Sequence, residues 1–331
     1  MSIFLLGAGF NADAAKEVGP IYGNSIYVGR YLMDVSYPLV ADVAQLCFEL
    51  DQVPPDQSIE ELFCDALERN DYAPLNKLSD RLMEADYRLA TRLSVPEQPN
   101  RYQAFFERFA GSNFITFNYD SLPEILLHSS QHWFPHDGYG TPVEVEPSCG
   151  ATDTGDSHSA SLVLHLHGSF CVYSNEFEIN RRAGDAISWL EPLGTPRYYF
   201  DPYSISHCFP SYARARSSTG HVPIEERIIA PIPDKAQQLT QPFIRKTYAK
   251  ACSLVRESGT LIAVGYSFNG HDKASNSPIL EALSQSRDRR LVVVSPNATK
   301  LADMIRAAHP SLKVQPIDRG FRAWGDDCFR Y

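Results

Sequence analysis

Five short apolar runs, each ending in a turn of small or polar residues, constrain this chain more than any other feature. Ile3-Phe4-Leu5-Leu6 runs into Gly7-Ala8-Gly9, and Phe114-Ile115-Thr116-Phe117 into Asn118-Tyr119-Asp120. Leu162-Val163-Leu164-His165-Leu166 runs into His167-Gly168-Ser169. Thr260-Leu261-Ile262-Ala263-Val264 leads to Gly265-Tyr266-Ser267, and Leu291-Val292-Val293-Val294 to Ser295-Pro296-Asn297. A run of four or five apolar residues without alternation is what a parallel strand covered on both faces needs. Segments 121–128, 242–257 and 299–308 carry helical spacing between these runs. The pattern predicts an α/β chain: a Rossmann-like parallel sheet with helices on both faces. Residues 227–230 and 313–317 are weaker strand candidates.

A chain of 331 residues can form one large domain, and we read 1–331 as a single one. Apolar residues recur at helical spacing between 36 and 110, as in Leu39, Val43, Leu46, Cys47 and Leu50. Ser58-Ile59-Glu60-Glu61 is a capping box. This predicts a helical insertion over 32–110, joined to the first strand by a loop at 19–31. Residues 129–160 and 171–225 are rich in Pro, Gly, Ser, Tyr and His and read as long loops.

The net charge of −10 argues against nucleic acid or an anionic membrane as partner, because both need a basic surface. The seven cysteines are scattered, with no C-x-x-C pair. That predicts reduced thiols in the cytoplasm and excludes a cysteine zinc ribbon. Neither a signal peptide nor an 18-residue apolar span is visible, so no membrane association is expected.

The first turn, Gly7-Ala8-Gly9-Phe10-Asn11-Ala12, has G-x-G-x-x-A spacing after a strand. Such a turn brings backbone close to a pyrophosphate at a helix N-terminus. A dehydrogenase-type fold also needs an acidic residue ending a second strand about 20 residues on. Asp34 has the distance, but no convincing strand pattern leads into it. Ligands of open parallel sheets bind beyond the carboxyl ends of the strands, where all five turns would gather. Each turn has a plainer reading as well. Asn118-Tyr119-Asp120 and Asn297 suit helix caps, and His167 suits a hydrogen-bonded loop histidine. His165 and His167 share one strand face and could form an H-x-H metal pair. A third ligand from His132 or His136 would need a loop path that nothing supports, so His165 reads as structural and no metal is expected.

Gly7-Ala8-Gly9-Phe10-Asn11, Phe117-Asn118-Tyr119-Asp120, His165-Leu166-His167-Gly168-Ser169 and Gly265-Tyr266-Ser267-Phe268, in this order, resemble the sirtuin superfamily. The resemblance is closer to its bacterial NAD-hydrolysing branch, found in anti-phage defence and abortive infection. It spans residue 3 to about 297. The four-cysteine zinc module of protein-deacylating sirtuins is absent, as is their Pro-Asp-Phe-Arg-like segment. The resemblance implies an NAD glycohydrolase releasing nicotinamide and ADP-ribose, with NAD as substrate and no further cofactor. It implies that Asn118 orients the ribose and a water, that His167 is the general base, and that Asp120 fixes the turn or bonds the ribose. Gly7, Ala8 and Gly9 would cradle the pyrophosphate. Gly265 would permit close approach, Ser267 would bond a phosphate, and Asn297 would hold the adenosine ribose. Phe10, Asn11 and Tyr266 complete the implied NAD-binding set. An NAD hydrolase endangers its own cell, so a regulatory protein partner from the defence system, a homo-oligomer, or both are expected. The alternatives are an NAD or ADP-ribose sensor without turnover, and an NAD-dependent deacylase or ADP-ribosyltransferase.

Overall fold

A computed structural model describes all residues except 1, 19–20, 26–28, 34–39, 79–80, 83–100, 146–156, 170, 181–188, 201–227, 233–234, 236–237, 269–271 and 329–331. The described strands, in chain order, are β1 (Ile3–Leu6), β2 (Ile21–Ser25), β3 (Gly29–Met33), β4 (Asn113–Thr116), β5 (Glu144–Val145) and β6 (Val163–His165). They continue with β7 (Val172–Asn180), β8 (Trp189–Phe200), β9 (Thr260–Val264), β10 (Arg290–Ser295) and β11 (Lys313–Asp318). Six of them form one sheet in the order β11-β10-β9-β1-β4-β6, with every pair parallel. This is the α/β, Rossmann-like arrangement that the five apolar runs predict.

Alternate residues of these strands feed two separate cores. Phe4, Leu6, Phe114 and Val294 point to one face, where they meet Phe105 and Phe106 of the helix Arg101–Arg108 and Ile125 and Leu126 of the helix Leu122–Ser129. Ile3, Leu5, Ile115, Leu261 and Val293 point to the other. There they meet Ala251 and Val255 of Pro242–Ser258, Ile279 and Leu283 of Lys273–Ser284, and Ala302 and Ile305 of Ala298–Ala308. Burying both faces explains why the strands lack the alternation of a half-exposed sheet. The fully buried aromatic rings Phe4, Phe10, Phe105, Phe106 and Phe114 form one cluster of edge-to-face, tilted and stacked contacts.

The parallel register brings the strand ends into one layer. Leu6 lies beside Thr116 on one side and Val264 on the other, Thr116 beside His165, and Val264 beside Val294. The turns after β1, β4, β6 and β9 therefore open at the same edge. The chain leaves β1 toward one face and β9 toward the other, so a crevice lies between these two central strands.

The outer parts depart from the expectations. The stretch 171–225, read as a long loop, contains β7 and β8, which pair antiparallel, while β5 pairs with the end of β8. Pro192, Gly194 and Pro196 obscure the strand pattern in β8. Among the described residues β5 pairs only with Tyr199 and Phe200, so Pro192 faces a ladder on the β7 side alone, and Pro196 falls in the irregularity between the Phe177–Pro192 and Asn175–Arg197 pairs; a missing N–H is tolerated at both kinds of position. Residues 201–225 lie outside the described residues. The loop expected at 19–31 holds strands β2 and β3, so, contrary to expectation, a strand does lead up to position 34, but it belongs to a separate antiparallel pair and not to the parallel sheet. The weaker candidate at 313–317 is a full strand, β11, and its place at the sheet edge accommodates Pro316. Ile228 makes only an isolated bridge to Gly168.

Within 32–110 the described helices are Val40–Phe48, Ile59–Glu68, a stretch at 73–78, and Arg101–Arg108. Both hydrogen bonds of the Ser58/Glu61 capping box are present. Phe63, Leu75 and Leu78 pack with Ile228 and Ala230 in a small third core. Arg101–Arg108 instead belongs to the sheet's own core.

Candidate functional site

A cavity of about 510 Å³ opens at the carboxyl edge of the sheet, over the crevice between β1 and β9. Four of the strand-end turns line it. The first contributes Ala8, Gly9 and Asn11, and the second Asn118 and Asp120. The third contributes His167, and the fourth Gly265, Tyr266 and Ser267.

Asn118 is fixed by its backbone. Its N–H donates to Thr116 Oγ1 at 3.0 Å, and Thr116 Oγ1 donates to Leu6 O at 3.2 Å. Its carbonyl accepts from His165 Nδ1 at 2.9 Å. Among the described residues the Asn118 side-chain amide has no hydrogen-bond partner, which leaves both its donor and its acceptor for a ligand.

His165 lies fully buried beneath this turn, and its Nε2 is 2.6 Å from Glu124 Oε1. Burial works to lower its pKa, but the Glu124 carboxylate, its hydrogen bond and the Asn118 carbonyl outweigh burial and raise it. The ring therefore favours an imidazolium that donates from both nitrogens. The expected structural role of His165 is present in this geometry, with Glu124 as a partner that local sequence gives no means to foresee.

Asp120 is buried, and both its oxygens are engaged. Oδ1 accepts from the Leu122 N–H at 3.1 Å, and Oδ2 accepts from Asn11 Nδ2. It thus starts the helix Leu122–Ser129 and ties the first turn to the second. Burial is the main reason its pKa rises to about 6. The Leu122 N–H, His165 and Asn11 oppose that rise, and Glu124 adds to it.

His167 is buried, with Nε2 3.0 Å from Ser275 Oγ. Burial, helped by the nearby Lys235 cation, holds its pKa well below the ordinary histidine value. It is a neutral imidazole across the physiological range, flanked by the Phe117 ring at 4.9 Å.

The glycines owe their identity first to one another. A Cβ on Gly7 would lie 2.5 Å from Gly265 O, and one on Gly265 would lie 2.2 Å from the Phe10 nitrogen. The Gly9 N–H donates to Gly265 O at 2.9 Å. The first and fourth turns press together, so this N–H is already taken. Gly7 is buried beneath the cavity, while Ala8 and Gly9 are exposed on its wall.

Two residues of the expected binding set stand apart. The Phe10 side chain turns into the aromatic core against Tyr102 and Phe321, because its helix packs that face on the sheet. Asn297 is exposed at the start of Ala298–Ala308, beyond β10, and does not line the cavity.

Sequence reading missed Lys235, Asp272, Glu60 and Leu82, which also line the cavity. Lys235 Nζ pairs with Asp272, and among the described lining residues Lys235 is the one cation. Asp272 stands five residues after Ser267 at the cap of the helix Lys273–Ser284, where an N-cap signal could have drawn attention. Lys235 carries no local pattern, since its partner is 37 residues away.

Neither protein-family models nor curated proteins give a match to this chain. The geometry of the cavity and the chemistry of its residues therefore carry the functional reading.

Proposed function

We propose that this chain is an NAD glycohydrolase that cleaves NAD to nicotinamide and ADP-ribose, and that it serves as a regulated effector of bacterial anti-phage defence. The observation that carries the reaction is the meeting, in one cavity, of the unengaged Asn118 amide and the neutral His167 imidazole, beside the first and fourth strand-end turns. The defence role rests on the resemblance of the four motifs to the sirtuin-like branch.

The chemistry follows from the substrate. Nicotinamide departs as a neutral base once the glycosidic bond breaks, and the ribosyl centre left behind is electron-poor. Asn118 offers one donor and one acceptor, enough to hold a ribose hydroxyl and orient a water at that centre. His167, neutral and fixed through Ser275, can accept the proton that the water or hydroxyl loses. Lys235, paired with Asp272, is the lining cation that a phosphate could meet, and the Asp120 and Glu60 carboxylates would favour a developing ribosyl cation in the same cavity.

A second reading, an NAD or ADP-ribose sensor without turnover, gains from the same histidine. A base held well below the working pH accepts protons weakly. Asn118→Ala and His167→Ala separate the two readings. Turnover should fall by at least about 100-fold in each, the usual range for a lost acid–base group, while NAD binding persists. Full turnover in either variant removes that residue's role. Tight binding without product in the wild-type chain, with assembly and partners present, favours the sensor.

A further inference from the structure

His136, Asp137 and His158 bring three ligand atoms within 4.8 Å of one another. None of the three lines the cavity. Asp137 Oδ1 is 3.7 Å from His136 Nε2, and Asp137 Oδ2 is 3.2 Å from His158 Nδ1. A tetrahedral zinc ion with ligand bonds of about 2.0–2.1 Å holds its ligand atoms roughly 3.3 Å apart, and the two Asp137 separations, one to each carboxylate oxygen, lie close to that spacing.

The carboxylate between the two rings is already aimed. The Ser159 N–H lies 3.2 Å from each Asp137 oxygen, and Ser159 Oγ donates to Oδ1 at 2.5 Å. Outer partners of this kind orient a metal-binding carboxylate. Two imidazoles and one carboxylate form a borderline donor set suited to zinc and its neighbours rather than to calcium or magnesium. The His158 side chain is 80% exposed, which leaves a fourth position for water.

We propose that His136, Asp137 and His158 bind a zinc-class divalent ion. The ion would join two stretches that already touch through backbone. Ala160 N and Ser161 N donate to His132 O, and Val163 N donates to Gly138 O. Val163 opens β6, which carries His165 and leads to His167. The ion thus fastens the 132–140 loop to the strand beneath the cavity. This site does not depend on the proposed NAD reaction.

The test uses the full chain, stripped with a chelator and dialysed, then titrated with zinc by calorimetry and with cobalt as a spectroscopic probe. One equivalent of zinc should bind and raise the melting temperature. Cobalt should give visible bands without a thiolate charge-transfer band. His158→Ala, at an exposed side chain, should keep the far-ultraviolet circular dichroism yet bind zinc at least tenfold more weakly, beyond the lower end of outer-shell losses. No zinc uptake by the wild type overturns the proposal. So does unchanged affinity in His158→Ala, and so does a thiolate band, which would assign the ion to cysteine.

Discussion

Gly265 has φ +66°, and a methyl group there would strike the Phe10 nitrogen, which cannot move without the helix that begins at the first turn. Gly265→Ala should therefore cost about 3 kcal/mol or more, combining backbone strain with a buried clash. Gly111 is the control. Its φ is +86°, but the nearest atom to an added Cβ lies at 4.0 Å, so Gly111→Ala should cost only about 1–2 kcal/mol. Urea unfolding of the two variants checks the order, and equal losses would refute the contact between the turns. His167 gives a second prediction at this scale. A base works deprotonated, so activity should hold as pH falls through 6.5 and be lost only at its depressed pKa. An acid limb of kcat/KM at 6.5 or above contradicts the assignment. An inflection near 6 that vanishes in Asp120→Asn reports Asp120 instead.

Between elements, the buried pair of His165 and Glu124 joins β6 to the helix Leu122–Ser129 and fixes the Asn118 carbonyl. Glu124→Ala leaves the imidazole without its carboxylate in a fully buried position. Removing one partner of a buried pair costs about 3–5 kcal/mol, which a chemical melt would detect. The sign of the pH effect follows from the raised pKa of His165. Its stabilisation is fully present below about 6.5 and is lost as pH rises through the folded-state value. The wild-type advantage over Glu124→Ala should therefore shrink toward alkaline pH. Strand identity was legible because β1, β4, β9 and β10 are buried on both faces and so keep continuous apolar runs. The β7–β8 pairing was not, because Pro192 interrupts the pattern where pairing is one-sided, and Gly194 and Pro196 interrupt it where the ladder is irregular. The glycines of the first and fourth turns were legible, but their spacing reports contact between turns as much as room for a ligand. Lys235 and Asp272 were invisible because only the fold brings them together.

For the whole molecule, the sheet register gathers Asn118, His167 and Ser267 at one edge, and this part of the site follows from strand order alone. No helix among the described residues is long and apolar enough to cross a membrane. The proposed reaction would drain a cell of NAD, so we propose that a defence-system partner or self-assembly gates it. Turnover per chain should then rise with protein concentration or on adding the partner. A dilute monomer with constant full activity contradicts the gating.

The central claim is tested most directly by incubating the purified full chain with NAD and quantifying nicotinamide and ADP-ribose, from dilute to assembled concentrations and with co-purifying partners present. The account predicts nicotinamide release matched by an ADP-ribose product, lost in Asn118→Ala. NAD left intact under every one of these conditions would contradict it.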